Sequence, residues 1–150
     1  MTLEAYRALL EQLVKDPSLQ PKEDGTTYCN FAISRIAKLW GCDEFPLDAQ
    51  GDPPLANQMC DIMAQSDKFP ILTARSALDE AMRPGFVIAA HRYGEHGHVA
   101  VVYPAAPFFS PSLNHYVPYL ANVGKKNGIT PESQDFPVAD TEPTYYLYRP

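Results

Sequence analysis

Cys29 and His98 are the two side chains of this 150-residue chain whose types and settings suggest covalent chemistry. The thiolate is the nucleophilic form of cysteine, and it forms most readily at a helix N-terminus or beside a histidine. Cys29 stands four residues before Ile33 in a stretch where Ile33, Ile36, Ala37 and Trp40 recur at helical spacing, so it projects from that apolar face in the first turn. His98 opens the run His98-Val99-Ala100-Val101-Val102-Tyr103, and Gly97 before it removes side-chain bulk where a substrate must approach. On that strand His98, Ala100 and Val102 share one face, expected to meet the helix carrying Cys29. The expected reaction is acyl transfer, with sulfur attacking an amide carbonyl and the imidazole moving the protons. Spacing alone leaves a blander alternative open, in which Cys29 is a small core residue and His98 a strand end meeting solvent.

The other nucleophilic and ligating residues add little. Cys42 and Cys60 complete an odd set of three with no CxxC spacing, which is neither a disulfide framework nor a zinc ribbon. His96 and His98 share a strand face, but no clear third and fourth ligands accompany them, so no metal and no cofactor is expected.

The elements that must position the pair follow from periodicity. Tyr6, Leu9, Leu10 and Leu13 predict a first amphipathic helix that stops at Asp16-Pro17. The second should run from Thr27 or Tyr28 to Trp40, with Asp24, Thr26 and Thr27 offering N-caps and Gly41 suited to the left-handed C-terminal position. Residues 43–54 read as a loop, Leu55 to Gln65 as a third helix, and Ser76 to Met82 as a fourth capped by Ser76 and Asp79. Phe86 to His91 and His98 to Tyr103 then form a hairpin around Gly94, and Pro104, Pro107 and Pro111 break the pattern. A weaker strand surrounds Tyr119 to Val123, and a last one spans Thr144 to Arg149. Helices first and hairpins later predict one α+β domain over residues 1–150, its N-terminal helices packed on a small antiparallel sheet.

Composition narrows the partners. A net charge of −6 argues against nucleic acid. No apolar run reaches the roughly 20 residues of a membrane span, so no insertion is expected. The opening Met1-Thr2-Leu3-Glu4-Ala5 lacks the basic and apolar parts of a secretory signal. The expectation is synthesis in the cytoplasm, with any action in the periplasm or cell wall requiring non-classical export or lysis.

Thr27-Tyr28-Cys29-Asn30-Phe31-Ala32 followed by a helix resembles the nucleophile segment of the NlpC/P60 and CHAP cell-wall hydrolases. Gly85 to Ala90 and Gly97 to Val102 look like the strands that bring in their catalytic histidine. The order of Cys, Ala56-Asn57-Gln58-Met59, Gly-His-Val and a tyrosine-rich last strand is similar to the type VI secretion amidase effectors, over roughly residues 25 to 148. The resemblance implies a papain-like fold and a cysteine amidase or endopeptidase acting on the peptide stems of peptidoglycan. It further implies an antibacterial effector or lytic enzyme, with an immunity or inhibitor protein as a possible partner. By order it assigns Asn122 to orient the imidazole, with Glu95 and His115 in reserve; a turn residue before Gly124 is the other reading of Asn122. The oxyanion hole would use the Cys29 N–H with Tyr28 or Thr27, and Trp40, Tyr93, Phe108, Phe109 and Tyr116 are candidates for a groove. Asn30 departs from the family, which commonly has a small residue after the nucleophile. The same pair would also serve a papain-like protease or a glutamine deamidase acting on proteins, and an inactive binding module would keep only the fold.

Overall fold

The structure, a computed structural model, describes residues 1–136 and 142–150. Its helices are α1 (Leu3–Lys15), α2 (Cys29–Leu39), α3 (Ala56–Gln65), α4 (Ala74–Met82) and the short α5 (Glu132–Asp135). Its strands are β1 (Ile71–Leu72), β2 (Val87–His91), β3 (His98–Ser110), β4 (His115–Asn122), β5 (Gly128–Pro131) and β6 (Thr144–Leu147). The strands form one antiparallel sheet in the order β1-β6-β2-β3-β4-β5. The chain is therefore α+β, as its patterning predicts.

Helix ends show which local signals governed. Thr2 caps α1 by accepting from the Ala5 N–H at 3.1 Å. Gly41 takes φ +65° after α2 and donates to the Lys38 carbonyl, while the Cys42 N–H reaches back to Ala37 at 2.9 Å. That is the paired C-terminal closure glycine permits. Two start signals differ from expectation. The cap of α4 is Thr73, whose hydroxyl accepts from the Ser76 N–H, so the helix begins two residues before the Ser76–Asp79 pair. No side chain caps α2; Asp24 turns instead onto the Thr26 N–H at 2.9 Å.

The sheet is covered on both faces, because alternate residues of β2 and β3 are apolar in both directions. One face packs Ile88, Val99 and Val101 against α1, α2 and α3 through Tyr6, Leu10, Ile33 and Met59. The other packs Val87, Ala89, Ala100 and Val102 against Ala77 and Ala81 of α4 and against Phe136. This corrects the expectation that the column of Ala100 and Val102 faces the Cys29 helix. Alternation placed them together, but α4 is the helix they meet.

The prolines do not end β3. Pairing advances from Tyr103 to Phe108 on β3 while β4 moves only from Tyr119 to Val117, so Pro104 and Pro107 fall in a bulge where no ladder N–H is required. Arg7 of α1 seals the bulge, donating from Nε to the Pro104 carbonyl at 2.6 Å. The fourth strand accordingly starts at His115 rather than Tyr119, and the last ends at Leu147 rather than Arg149. Among the described residues, no helix is long and apolar enough to cross a membrane.

Candidate active site

Cys29 is the first residue of α2 and is only 7% exposed. Backbone N–H groups of Val99, Asn30 and Cys29 itself face its sulfur. Burial outweighs these donors and pushes the thiol above its ordinary value of 9.0. The expected depression by helix terminus and histidine is thus not what the structure shows: the resting cysteine is a protonated thiol. No side chain caps the helix, and the first-turn N–H groups of Cys29 and Asn30 turn to the sulfur itself.

His98 begins β3, where His91 of β2 lies opposite. Its Nε2 lies 2.6 Å from Asn122 Oδ1. The Asn122 amide is oriented by its own Nδ2, which donates to the Lys126 carbonyl at 2.9 Å. Oδ1 therefore accepts, Nε2 carries the proton, and Nδ1 is the basic nitrogen. The ring is further held by Phe136, whose centroid lies 5.0 Å away, and by Gly124, where a Cβ would come within 3.2 Å of His98 Cε1. Burial lowers the imidazole below its ordinary 6.5, and the Asn122 contact only partly offsets this.

The structure thus brings His98 and Asn122 together, and places no hydrogen bond between Cys29 and His98 among the described residues. The sulfur meets the Val99 N–H, which belongs to the peptide linking Val99 to His98. Val99 shares the α1–α3 face with Cys29, whereas Phe136, against which the His98 ring lies, belongs to the α4 face. In the resting protein thiol and imidazole are both neutral, by burial.

The remaining candidates separate clearly. Tyr28 and Thr27 lie half-buried at the entry to α2, and the Tyr28 ring packs edge-on against Phe31 at 5.4 Å with the Lys22 ammonium 5.8 Å above it. Asn30, the departure from the family pattern, is buried and donates to the Pro54 carbonyl at 3.0 Å, tying α2 to the following loop. Tyr93 packs edge-on against His91 at 4.4 Å and with the α4-side cluster, so it lies on the His98 side of the sheet rather than the Cys29 side. Glu95 is exposed in the hairpin turn. His115 stands at the opposite end of β4 from Asn122 and pairs with Glu142 at 3.0 Å, which removes it as an orienting residue. Trp40 packs edge-on against Tyr6 at 5.7 Å, and Phe109 pairs with Tyr116 at the far end of the β3–β4 hairpin, so none of these lines the site. Among the described residues, no three His, Cys, Asp or Glu side chains converge as a metal-ligand set.

Sequence reasoning missed the residues that hold the site. Phe136 and Gly124 are set against His98 by tertiary packing, with no local signal. Asn57 is the third. Its Nδ2 donates to the carbonyls of Tyr93 and Gly94 at 2.9 and 3.2 Å, clamping the β2–β3 turn to α3. Gly97 is required by that clamp, since a Cβ there would fall 2.3 Å from Asn57 Oδ1, 3.0 Å from its backbone N and 3.1 Å from the His91 carbonyl. Gly97→Ala is therefore expected to push the hairpin off α3 and to cost about 1–3 kcal/mol, read as a lowered urea midpoint with an unchanged slope. An unchanged midpoint would mean the turn gives way freely.

No model of a known protein family matches the chain, and no curated protein matches it.

Proposed function

We propose that this chain is a papain-like cysteine amidase or endopeptidase that hydrolyses amide bonds in the peptide stems of peptidoglycan, acting as an antibacterial effector or lytic enzyme. The observation that supports it best is the arrangement at one end of the sheet. A cysteine opens a helix with no side-chain cap, beside the peptide that carries a histidine bonded to Asn122. With thiol and imidazole both neutral at rest, His98 acts as general base. Substrate entry brings Nδ1 to the thiol, the proton passes to it as sulfur attacks the carbonyl, and the first-turn N–H groups receive the developing oxyanion. The imidazolium then protonates the leaving amine, and water activated by the same nitrogen resolves the thioester. Apo hydrogen bonds of this kind are commonly long and tighten on loading.

Digestion of purified sacculi, with products identified by mass, tests the reading. Fragments cut within the stem are expected; intact sacculi alongside hydrolysis of a protein amide would move the substrate to proteins. The pH profile tests the mechanism. kcat/KM should rise along an acid limb set below pH 6.5, because neutral His98 is required and burial holds its pKa down. Asn122→Ala removes the contact that raises that pKa, so the limb should move to lower pH while the rate falls about 10²-fold. A limb that stays in place would detach Asn122 from the imidazole's chemistry.

A further inference from the structure

Asn127 lies half-buried in the turn that joins β4 to β5, and both ends of its side-chain amide are bonded. Oδ1 accepts from the Gly124 N–H at 2.9 Å, and Nδ2 donates to the Leu19 carbonyl at 2.8 Å, 108 residues earlier in the chain. The first bond closes the turn on itself, a local backbone contact that short polar side chains make readily. The second leaves the turn and ties it to a single helical turn, Pro17–Leu19, that follows α1.

Each tied partner governs one half of the candidate site. On the turn side, the Lys126 carbonyl next to Asn127 holds the Asn122 amide at 2.9 Å, and Gly124 packs against the His98 ring. Both groups that orient the imidazole thus depend on the shape of residues 123–127. On the other side, Leu19 is 1% exposed and belongs to the core cluster that contains Cys29. The same helical turn is joined to α2 by Arg35, whose Nη1 lies 2.6 Å from Asp16 Oδ2 and whose Nη2 donates to Ser18 Oγ at 2.7 Å. That ion pair is partly open to solvent and contributes little alone. The Leu19 carbonyl, fixed by its buried side chain, is the firmer anchor.

We propose that Asn127 is a positioning residue, which registers the His98–Asn122 half of the site against the segment that leads into Cys29. It touches no reacting atom. It holds Gly124 and Asn122 in place on one side and fixes their distance from Leu19 on the other. Its kinetic consequence rests on the amidase reading; its hold on the imidazole does not.

Two substitutions separate the bonds. Asn127→Ala removes both, whereas Asn127→Asp keeps an oxygen for the Gly124 N–H and loses the donor to Leu19. Heteronuclear NMR of the histidine ring nitrogens reads the imidazole N–H directed at Asn122 as a slowly exchanging resonance, and hydrolysis of a synthetic stem peptide reads catalysis. Asn127→Ala is expected to lose that resonance and to lower kcat by about tenfold with KM little changed, since a small misplacement of the base acts on the chemical step. Asn127→Asp should keep the resonance and still lose kcat severalfold. Lys125→Ala, in the same turn but exposed, should match the wild type in both. Resonance and kcat unchanged in Asn127→Ala, with or without a lower melting temperature, would overturn the positioning role and leave the amidase reading standing. Should Asn127→Ala not fold, Asn127→Asp decides: wild-type kcat there overturns the tie to the Cys29 segment. If the wild type hydrolyses no stem amide, loss of the resonance in Asn127→Ala upholds the hold on His98 while overturning the amidase reading, and an unchanged resonance overturns both.

Discussion

Cys29→Ala is expected to abolish release of stem fragments from sacculi, with a loss of at least about 10³-fold, while the protein stays folded. The substitution removes one sulfur atom from the first residue of α2, where helix geometry suits alanine at least as well. The thiol does pack in the core cluster, so a small cost of about 1 kcal/mol follows from losing its contacts. A cost of that size does not unfold a domain of ordinary stability. Cys42→Ala is the control, since that thiol is likewise buried and raised but lies past the opposite end of α2 from Cys29. Equal activity in wild type and Cys29→Ala would remove the nucleophile assignment. Alkylation gives a second readout. A preformed thiolate–imidazolium pair would react fastest with iodoacetamide near neutral pH, whereas a buried neutral thiol should react slowly at pH 7 and faster as pH rises past 9.0. Rapid neutral-pH alkylation of Cys29 would overturn the general-base account.

Much of this site was legible because it depends on local pattern. Helical spacing placed Cys29 at a helix start and alternation placed His98 with Ala100 and Val102, while Asn122 followed from the order of elements in the families the chain resembles. What alternation alone does not carry is which layer covers which face. Both faces of β2 and β3 are apolar, so the pattern has no sign, and the choice between α2 and α4 is made by packing. The strands missed were those without a pattern to read. Ile71–Leu72 and Gly128–Pro131 are too short for alternation to register, and the second half of β3 is hidden by Pro104 and Pro107, which a bulge tolerates. The thiol's charge state escaped for another reason. Helix terminus and histidine are visible in the chain, but the desolvation that outweighs them is a property of the assembled core.

Glu132 is the second residue with a large expected effect, and nothing in its polar surroundings, Pro131-Glu132-Ser133-Gln134-Asp135, marks it. It is fully buried, and neither carboxyl oxygen has a hydrogen-bond partner among the described residues. A carboxylate in that position is costly, and the fold favours the neutral acid: burial, then the nearby charge of Glu142, raise it from 4.5 to about 7, with His115 opposing. Asp135, one turn along α5, is raised by burial to about 7 as well, although Thr130 Oγ1 donates to it at 2.7 Å. The sign follows from proton counts. Between pH 4.5 and about 7 the folded state keeps a proton on Glu132 that the unfolded chain has released, so this stabilisation is full below pH 4.5 and is lost as pH rises through about 7. Glu132→Met removes both the charge and the unpaired oxygens at similar volume. It should stabilise the protein at pH 8 by about 1–3 kcal/mol, seen as a Tm gain of several degrees, and the gain should shrink toward pH 4. A difference between variant and wild type that does not change with pH would show that the carboxyl titrates in the fold as it does in the unfolded chain. The consequence reaches the site through one residue. The Phe136 N–H donates to the Glu132 carbonyl at 2.8 Å, and the Phe136 ring lies on His98. If ionisation of Glu132 displaces this turn, the variant will hold its activity to higher pH than wild type does.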